Sequence, residues 1–354
     1  MDWLNDILAA IGVVLNGLPQ GILAMTYGFA SVPTALGFAI GMGGAAVFQS
    51  VAPISFQAET ITLAGSMGKN MRERLSMILF AGLAMAGLGA CGLLTTIIEF
   101  AGESIIHGMM AGVGIMLAKV AIDMVKANKL VGGISMGVGV IVYVLCSVLK
   151  TGNELVYTIV ACVVISSVVG YLMGQRPEEV QQEKAFKLKL VKPTFNLTVL
   201  RGALALACLT IGANIAFGNI TGSIAGTTAN IDHLTIYSGI ADSVSALFGG
   251  APVEAIISAT AAAPHAVIAG IIMMAIMFVI LITGVLPKIG KYVSSQSIAG
   301  FLFVLGAFVT LPGDGAVALS GANPIAGGVT MAVTAMVDPF VGMLSGIILK
   351  LIGM

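Results

Sequence analysis

Two proline-containing breaks interrupt apolar stretches of this sequence, one in each half of the chain. The first is VAPISFQAE at residues 51–59, and the second is GAPVEAIIS at residues 250–258. Neither a proline nor the residue before it continues a helix. Non-helical backbone survives at membrane depth only where it lines a cavity or is buried in protein. Interrupted segments at corresponding positions of two halves therefore point to the central binding site of a transporter.

The composition predicts a chain that lies in a lipid bilayer. Of the 354 residues, 58% are hydrophobic and 9% are charged, and the mean hydropathy is +1.06. A soluble domain of this length has no means of burying so much apolar surface. The net charge of zero gives no reason to expect a nucleic-acid partner, and the four cysteines show no metal-ligand spacing. We predict an integral membrane protein, expected in a bacterial inner (cytoplasmic) membrane, with no cofactor and no metal.

A spanning helix needs roughly 20 apolar residues, which divides the chain into two sets of about seven segments. The first set lies near 5–26, 29–48, 54–68, 73–98, 103–125, 130–149 and 154–174. The second set lies near 198–222, 235–250, 254–263, 265–286, 292–312, 322–336 and 338–353. The predicted fold class is an all-α polytopic membrane protein with about 14 transmembrane helices.

The two halves are predicted to be inverted repeats. The first repeat covers 1–174 (helices 1–7), a polar linker covers 175–197, and the second repeat covers 198–354 (helices 8–14). An odd number of helices in each repeat inverts one half relative to the other in the membrane. Pro53 and Pro252 align at an offset of 199 positions. The alternative is that two Ala-Pro dipeptides arose by chance in a chain rich in Gly and Ala.

The distribution of basic residues predicts which side of the membrane each loop faces. Lysine and arginine recur in the loops after odd-numbered helices and in the central linker. By the positive-inside rule these loops are cytoplasmic, which places both termini outside the cytoplasm.

Three stretches carry a resemblance to a known family. They are Pro53–Phe56, Ser104–Ile115 and Ala246–Pro252. Together they resemble the nucleobase–cation symporter family of the xanthine/uracil and guanine/hypoxanthine permease type. The resemblance implies a core domain and a gate domain, each built from both repeats, with a short strand and a half-helix in each of helices 3 and 10. It also implies uptake of a purine or uracil with a proton or another cation, and an expected homodimer. The resemblance further implies cytoplasmic termini, the reverse of what the charge pattern predicts.

The chain differs from that family at two positions where an acidic residue is expected to face the nucleobase. Asn214 stands at the position in span 8, and Ser258 stands at the position in span 10. Acidic residues occur instead at Glu254 and Glu59. Both are predicted to bind substrate and to couple protons, because free N–H groups and the helix dipole at a half-helix N-terminus favour negative charge. The alternative is that each glutamate only caps its half-helix.

Other polar or aromatic residues near the breaks complete the predicted site. The remaining predicted substrate-binding residues are Ser55, Phe56, Gln57, Asn214 and Ser258. His265, which follows Pro264 just past the second half-helix, is a third proton-coupling candidate. Asp242 is predicted to be a feature of the gate or of a helix end.

The favoured function is a secondary active transporter for a nucleobase, coupled to a cation and working by alternating access. One alternative is a transporter or channel of sulfate-permease-like architecture for a small anion or another solute. That alternative predicts a cationic residue at the site, and none lies near either break. A remote alternative is an intramembrane enzyme. Because the three histidines lie in no catalytic or metal-binding motif, we predict that the chain is not an enzyme.

Overall fold

The computed structural model describes residues 2–150, 154–175, 188–290 and 292–353. Most of the predicted polar linker, from 176 to 187, lies outside the described residues.

The described chain is almost entirely helical and contains one very small sheet. The elements of the first half are α1 (Asp2–Thr26), α2 (Ser31–Phe48), β1 (Ile54–Ser55), α3 (Ala58–Met67), α4 (Met71–Ala90), α5 (Leu94–Ala101), α6 (Glu103–Ala127), α7 (Lys129–Leu149) and α8 (Glu154–Leu172). Those of the second half are α9 (Leu197–Ile224), α10 (Ile231–Leu247), β2 (Glu254–Ala255), a 3₁₀ helix (Ala259–Ala262), α11 (Ala266–Ile282), α12 (Val285–Gly290), a 3₁₀ helix (Ser295–Ile298), α13 (Ala299–Val304), a π-helical segment (Leu305–Thr310), α14 (Leu311–Ser320), α15 (Pro324–Met336) and α16 (Pro339–Leu351).

The helices of this chain are those of an integral membrane protein. Within the described residues, seven helices are long and apolar enough to cross a membrane, and four further apolar helices are shorter. The expected total of fourteen spans stays a prediction.

Asparagine side chains fix the start of several of the long helices. Asn70, Asn128, Asn196 and Asn230 each accept a hydrogen bond from the backbone N–H three residues later. An asparagine in this position satisfies one of the N–H groups that a helix start leaves without a partner. Short polar loops therefore separate helices whose interiors are apolar.

The first compact unit combines Met1–Phe100 with Gln181–Leu286. Its central helix is α10, which packs against α4 and α2, while α11 packs against α2 and α1. Glycines permit the close approach of these helices. A Cβ at Gly239 on α10 would lie 2.5 Å from the carbonyl oxygen of Gly82 on α4.

The second compact unit combines Ala101–Val180 with Pro287–Met354. Its central helix is α6, which packs against α14 and α15. Three glycines of α6 permit close packing: Gly108 lies against Gly327 and Gly112 against Thr334 of α15, and Gly114 lies against Gly306 of the π-helical segment. The division of the sequence into repeats at 174 and 198 stays a prediction.

The two breaks meet in the first unit as a pair of two-residue antiparallel strands. In this pair Ile54 lies opposite Ala255, and Ser55 lies opposite Glu254. Ser55 and Glu254 are 199 positions apart, the same offset that aligns Pro53 with Pro252. The register is therefore the one expected if a local pseudo-twofold axis passes through the Ser55–Glu254 pair.

Two predicted helices differ from the structure. The helix expected at 73–98 is divided into α4 and α5, because Gly92 has a positive φ of 66° that ends α4. The half-helix expected at 254–263 is instead β2 followed by a four-residue 3₁₀ helix. Pro264 explains this difference, since it holds the preceding Ala263 in an extended conformation.

Candidate substrate site at the paired breaks

Helix α10 holds the unwound backbone of both breaks. The hydroxyl of Tyr237 donates a hydrogen bond to the carbonyl oxygen of Ala52 in the first break. Two turns further along α10, the Ser245 hydroxyl donates to the carbonyl oxygen of Ala251 in the second break, at 2.6 Å. Ala52 and Ala251 occupy corresponding positions, so one helix satisfies the same buried carbonyl group in each break.

The second break has further support from α2 and α10. The backbone N–H of Ala251 donates to the Thr34 hydroxyl oxygen at 2.8 Å, and the N–H of Val253 donates to an Asp242 carboxylate oxygen at 2.6 Å. Gly250 lies so close to α2 that a Cβ there would be 2.6 Å from the backbone nitrogen of Thr34. These contacts fix the conformation of the segment that leads into β2.

Glu254 and Asp242 form a buried pair of carboxyl groups. Glu254 is 1% exposed and Asp242 is 4% exposed. One oxygen of Glu254 accepts a hydrogen bond from the Thr210 hydroxyl at 2.6 Å. The two carboxyl groups are also in hydrogen-bonding contact with each other. Within the described residues, no lysine or arginine is bonded to either acid.

Asn214 adds a further polar side chain between α9 and α10. Its amide nitrogen donates to the hydroxyl of Thr235 at 2.9 Å and that of Ser238 at 3.4 Å. Its amide oxygen is buried and has no hydrogen-bond partner within the described residues. Thr210 and Asn214 are one helical turn apart, so they lie on the same face of α9.

The first break carries its acid in a different setting. Glu59 lies in the first turn of α3, is 5% exposed, and has its carboxyl group beside its own backbone N–H. Gln57 precedes α3; its amide nitrogen donates to the carbonyl oxygen of Ala255 at 3.4 Å, and its amide oxygen accepts from the Thr60 hydroxyl. Gln57 thus links the first break to β2.

Ser55 and Phe56 are both buried beside α1. The Ser55 hydroxyl has no hydrogen-bond partner within the described residues, and its oxygen would lie 3.0 Å from a Cβ at Gly17. The ring of Phe56 packs edge-on against Phe38, with 5.5 Å between centroids. A Cβ at Gly21 would also lie 2.8 Å from this ring. The predicted role of each residue in substrate binding stays a prediction.

Ser258 and His265 flank the short 3₁₀ helix, and each has hydrogen-bond partners other than Glu254. Ser258 caps the helix, and its hydroxyl lies 2.6 Å from the hydroxyl of Thr260. His265 is bonded through both its backbone N–H and Nδ1 to the carboxylate of Asp6, at 3.0 and 2.8 Å. The ring of Trp3 stacks on His265. The structure therefore pairs His265 with α1, and gives it no bond to Glu254.

The sequence did not identify most of the side chains that form hydrogen bonds to the two breaks and to Glu254. Asp242 was expected at a gate or a helix end, and the structure places it beside Glu254. The other missed residues are Thr34, Thr210, Tyr237 and Ser245. A signal was present in α10, where Thr235, Ser238, Asp242 and Ser245 recur every three or four residues in an apolar span. Such a polar stripe marks one helix face.

Comparison with solved structures identifies the fold. The transmembrane domain of the cyanobacterial bicarbonate transporter BicA matches with a TM-score of 0.66 at 14% identity, over 98% of this chain and 97% of that one. The murine anion transporter Slc26a9 in its inward-facing state matches with a TM-score of 0.71 at 12% identity, over 99% of this chain and 68% of that one. A further SLC26A9 structure matches with a TM-score of 0.70 at 14% identity, over 99% and 64%. The proteins that share this fold are membrane transporters. No family model and no curated protein matches.

The resemblance to the nucleobase–cation symporter family is wrong. The matching folds named above belong to a bicarbonate transporter and an anion transporter. The structure explains why the motifs misled. Gly108, Gly112 and Gly114 allow close helix packing, and Gly250 allows close approach to α2. These motifs therefore report backbone geometry that the fold requires, and carry no information about the solute.

Proposed function

We propose that this protein transports a small inorganic anion across a membrane, with its substrate site at the paired breaks of the first unit. The observation that carries the proposal is the fold. It is shared over 98% and 99% of this chain with a bicarbonate transporter and an anion transporter. Since one fold hosts several functions, the site must also be able to bind such a solute.

The chemistry of the first break supports anion binding. Helix α3 starts inside the first unit, where its first-turn N–H groups have no helical partner. Free N–H groups and the positive end of the helix dipole attract a small anion. The Glu59 carboxylate lies beside one of these groups, its own N–H. We infer that Glu59 competes with the anion for the N-terminus of α3, instead of binding a nucleobase.

Among the described residues of the site, no lysine or arginine is bonded to the acids. This observation determines whether a cation must accompany the anion. An anion that enters beside Glu59, Glu254 and Asp242 meets like charge in a place where burial makes charge costly. A cation that binds with the anion offsets this cost. We therefore include cation coupling and alternating access in the proposal. We also expect a homodimer in a bacterial cytoplasmic membrane.

Uptake by proteoliposomes tests the proposal. The purified protein is reconstituted, and uptake of radiolabelled bicarbonate, sulfate, chloride and uracil is measured against empty liposomes. We expect saturable uptake of at least one of the three anions and no uptake of uracil. Uptake of none of the anions by correctly folded protein would refute the proposal.

The variant Glu59→Gln tests where the anion binds. Removal of this negative charge from the N-terminus of α3 should lower the KM for the anion by about 3- to 10-fold, in line with charge–dipole energies of about 1 kcal/mol. Glu103→Gln is a matched control, because Glu103 lies in the first turn of α6 in the second unit and is exposed. An unchanged KM in Glu59→Gln would place the anion elsewhere.

A further inference from the structure

We propose that Asp242 and Glu254 form a cation site that holds one exchangeable proton between their carboxyl groups. The proton site is a structural assignment in its own right. Its role as the coupling site for anion movement rests on the proposed function above. Neither the fold match nor the sequence motifs assign Asp242 to this site.

The geometry leaves the two acids dependent on each other. One oxygen of Asp242 accepts from the Val253 N–H at 2.6 Å, and one oxygen of Glu254 accepts from the Thr210 hydroxyl at 2.6 Å. The other oxygen of Glu254, Oε2, is buried and has no other partner within the described residues. The Asp242 carboxyl group lies beside Glu254, and with both groups ionised it has no proton to donate to Oε2.

A proton is required by the chemistry of this contact. An ionised carboxylate only accepts hydrogen bonds, so two ionised carboxylates have no donor between them. Two like charges buried side by side also repel strongly, and pairs of this kind share one proton. The contact between Asp242 and Glu254 is therefore that of one carboxylic acid and one carboxylate.

The charged groups of the neighbouring helices are held elsewhere or lie at helix ends. Helix α2 contains no titratable residue. On α4, Arg72 is bonded to the carbonyl oxygens of Lys192 and Pro193, Arg74 to those of Gly68 and Tyr27, and Glu73 to the Lys69 N–H and Asn196. Arg201 lies exposed near the start of α9, and Tyr237 of α10 is bonded to the first break. None of these groups is a charge partner of the pair.

The position of the pair explains how a proton would affect the anion site. Val253 and Glu254 belong to the backbone that enters β2, and Glu254 lies opposite Ser55 in β1. Loss of the shared proton would leave two charges on α10 and β2. Their repulsion would separate the two elements and disturb the strand pair that precedes α3. Uptake of the proton restores the contact and the conformation described here.

Sodium is the competing cation. The oxygens of Thr210 and Glu254, together with the unpartnered amide oxygen of Asn214 on the same face of α9, are ligands that a hard cation accepts. A cation placed between the carboxyl groups would have to separate them, and in this structure they are in contact. We therefore assign a proton, and include sodium as an outcome of the test.

Infrared difference spectroscopy during a pH titration tests the site without any anion. The wild-type protein should show the C=O band of one protonated carboxyl group that disappears at high pH. Both Asp242→Asn and Glu254→Gln should lose this band. The amide oxygen in each variant can still accept from Val253 or Thr210, which favours correct folding. Glu73→Gln, which changes a buried acid of α4 with other partners, should keep the band.

Three outcomes would overturn the assignment. The first is a titrating band that persists in both Asp242→Asn and Glu254→Gln. The second is the lack of any titrating band in the wild type. The third is a band removed at constant pH by sodium chloride but not by choline chloride, which would assign the site to sodium. If either variant fails to fold, Thr210→Val provides the test, because loss of its hydrogen bond should shift the frequency of the Glu254 band.

Flux measurements then test the coupling. With one proton carried per monovalent anion, an inward gradient of one pH unit should raise accumulation of that anion about tenfold in the wild type. Accumulation should not respond to the gradient in Glu254→Gln. If the infrared result holds and no anion is transported, the proposed function fails and the proton site stands. If anions move without any response to pH, the coupling role fails and anion transport stands.

Discussion

The two breaks share a backbone conformation and differ in how their acids are used. Each break contains an Ala-Pro dipeptide and a two-residue strand, and α10 donates a hydrogen bond to the alanine carbonyl oxygen of each. In the first break the strand leads into the ten-residue helix α3, with Glu59 in its first turn. In the second break Glu254 lies on the strand itself, and only a four-residue 3₁₀ helix follows.

This difference gives the two breaks different roles in ion binding. A ten-residue helix presents an N-terminus with a useful dipole, whereas a single 3₁₀ turn has almost none. The first break is thus suited to an anion, and the second break, with the Asp242–Glu254 pair, is suited to a cation. Substitutions that affect one break and spare the other test this comparison.

The largest expected effect is that of Gly250→Ala in the second break. An added Cβ would lie 2.6 Å from the backbone nitrogen of Thr34 and 2.3 Å from the Ser245 hydroxyl, and backbone cannot yield as a flexible side chain does. We expect the free energy of unfolding to fall by about 3 kcal/mol, which is the upper range for overpacking. Thermal unfolding in detergent measures this change. Gly43→Ala on α2 is the control, since a Cβ at Gly43 meets no atom within 4 Å. Equal melting temperatures for both variants would contradict the tight packing of this break.

The next effect is that of Tyr237→Phe on the first break. The change removes the hydroxyl that bonds to the Ala52 carbonyl oxygen and to Ser50, while the ring still packs near Phe48. A buried carbonyl group left without a donor costs about 2 kcal/mol. Thermal unfolding should show this loss, and Tyr171→Phe, at an exposed position, should show none. A melting temperature like that of the wild type would mean that water replaces the hydroxyl.

The sequence predicted the parts of this architecture that depend on local chemistry. Prolines at 53 and 252 identified the two breaks, but the pairing of Ser55 opposite Glu254 was seen only in the structure. Long apolar segments identified the membrane class and most of the helices. These features follow from backbone constraints and hydrophobicity, which are encoded residue by residue.

The rest depended on contacts between distant segments, which local patterns do not encode. Nothing near Asp242 in the sequence indicated that Glu254 lies beside it, and nothing near His265 indicated Asp6, 259 residues away. The substrate class was wrong for a related reason. Glycine- and proline-containing motifs reflect the shape of the backbone and do not identify the solute.

A smaller effect is expected for Thr210→Val. Valine keeps the shape of threonine but removes the hydroxyl that donates to Glu254 at 2.6 Å. The free energy of unfolding should fall by about 1.5 kcal/mol, which is within the range for a hydrogen bond to a carboxyl group. Thermal unfolding measures this change. Thr283→Val is the control, because the hydroxyl of Thr283 bonds only to the end of its own helix at an exposed position. If both variants lose the same amount of stability, the Thr210–Glu254 hydrogen bond does not specifically stabilise the second break.

The smallest effect on stability is expected for Glu59→Gln in the first break. Within the described residues no other residue donates a hydrogen bond to this carboxylate, and the amide oxygen of glutamine can lie beside the Glu59 backbone N–H in the same way. We expect a change of less than about 0.5 kcal/mol in thermal unfolding, since loss of the charge–dipole interaction is offset by easier burial of a neutral group. Glu254→Gln should change stability more, because Glu254 lies in a network with Thr210 and Asp242. A Glu59→Gln variant that unfolds far more readily than Glu254→Gln would reverse the comparison and make Glu59 a structural cap of the first break.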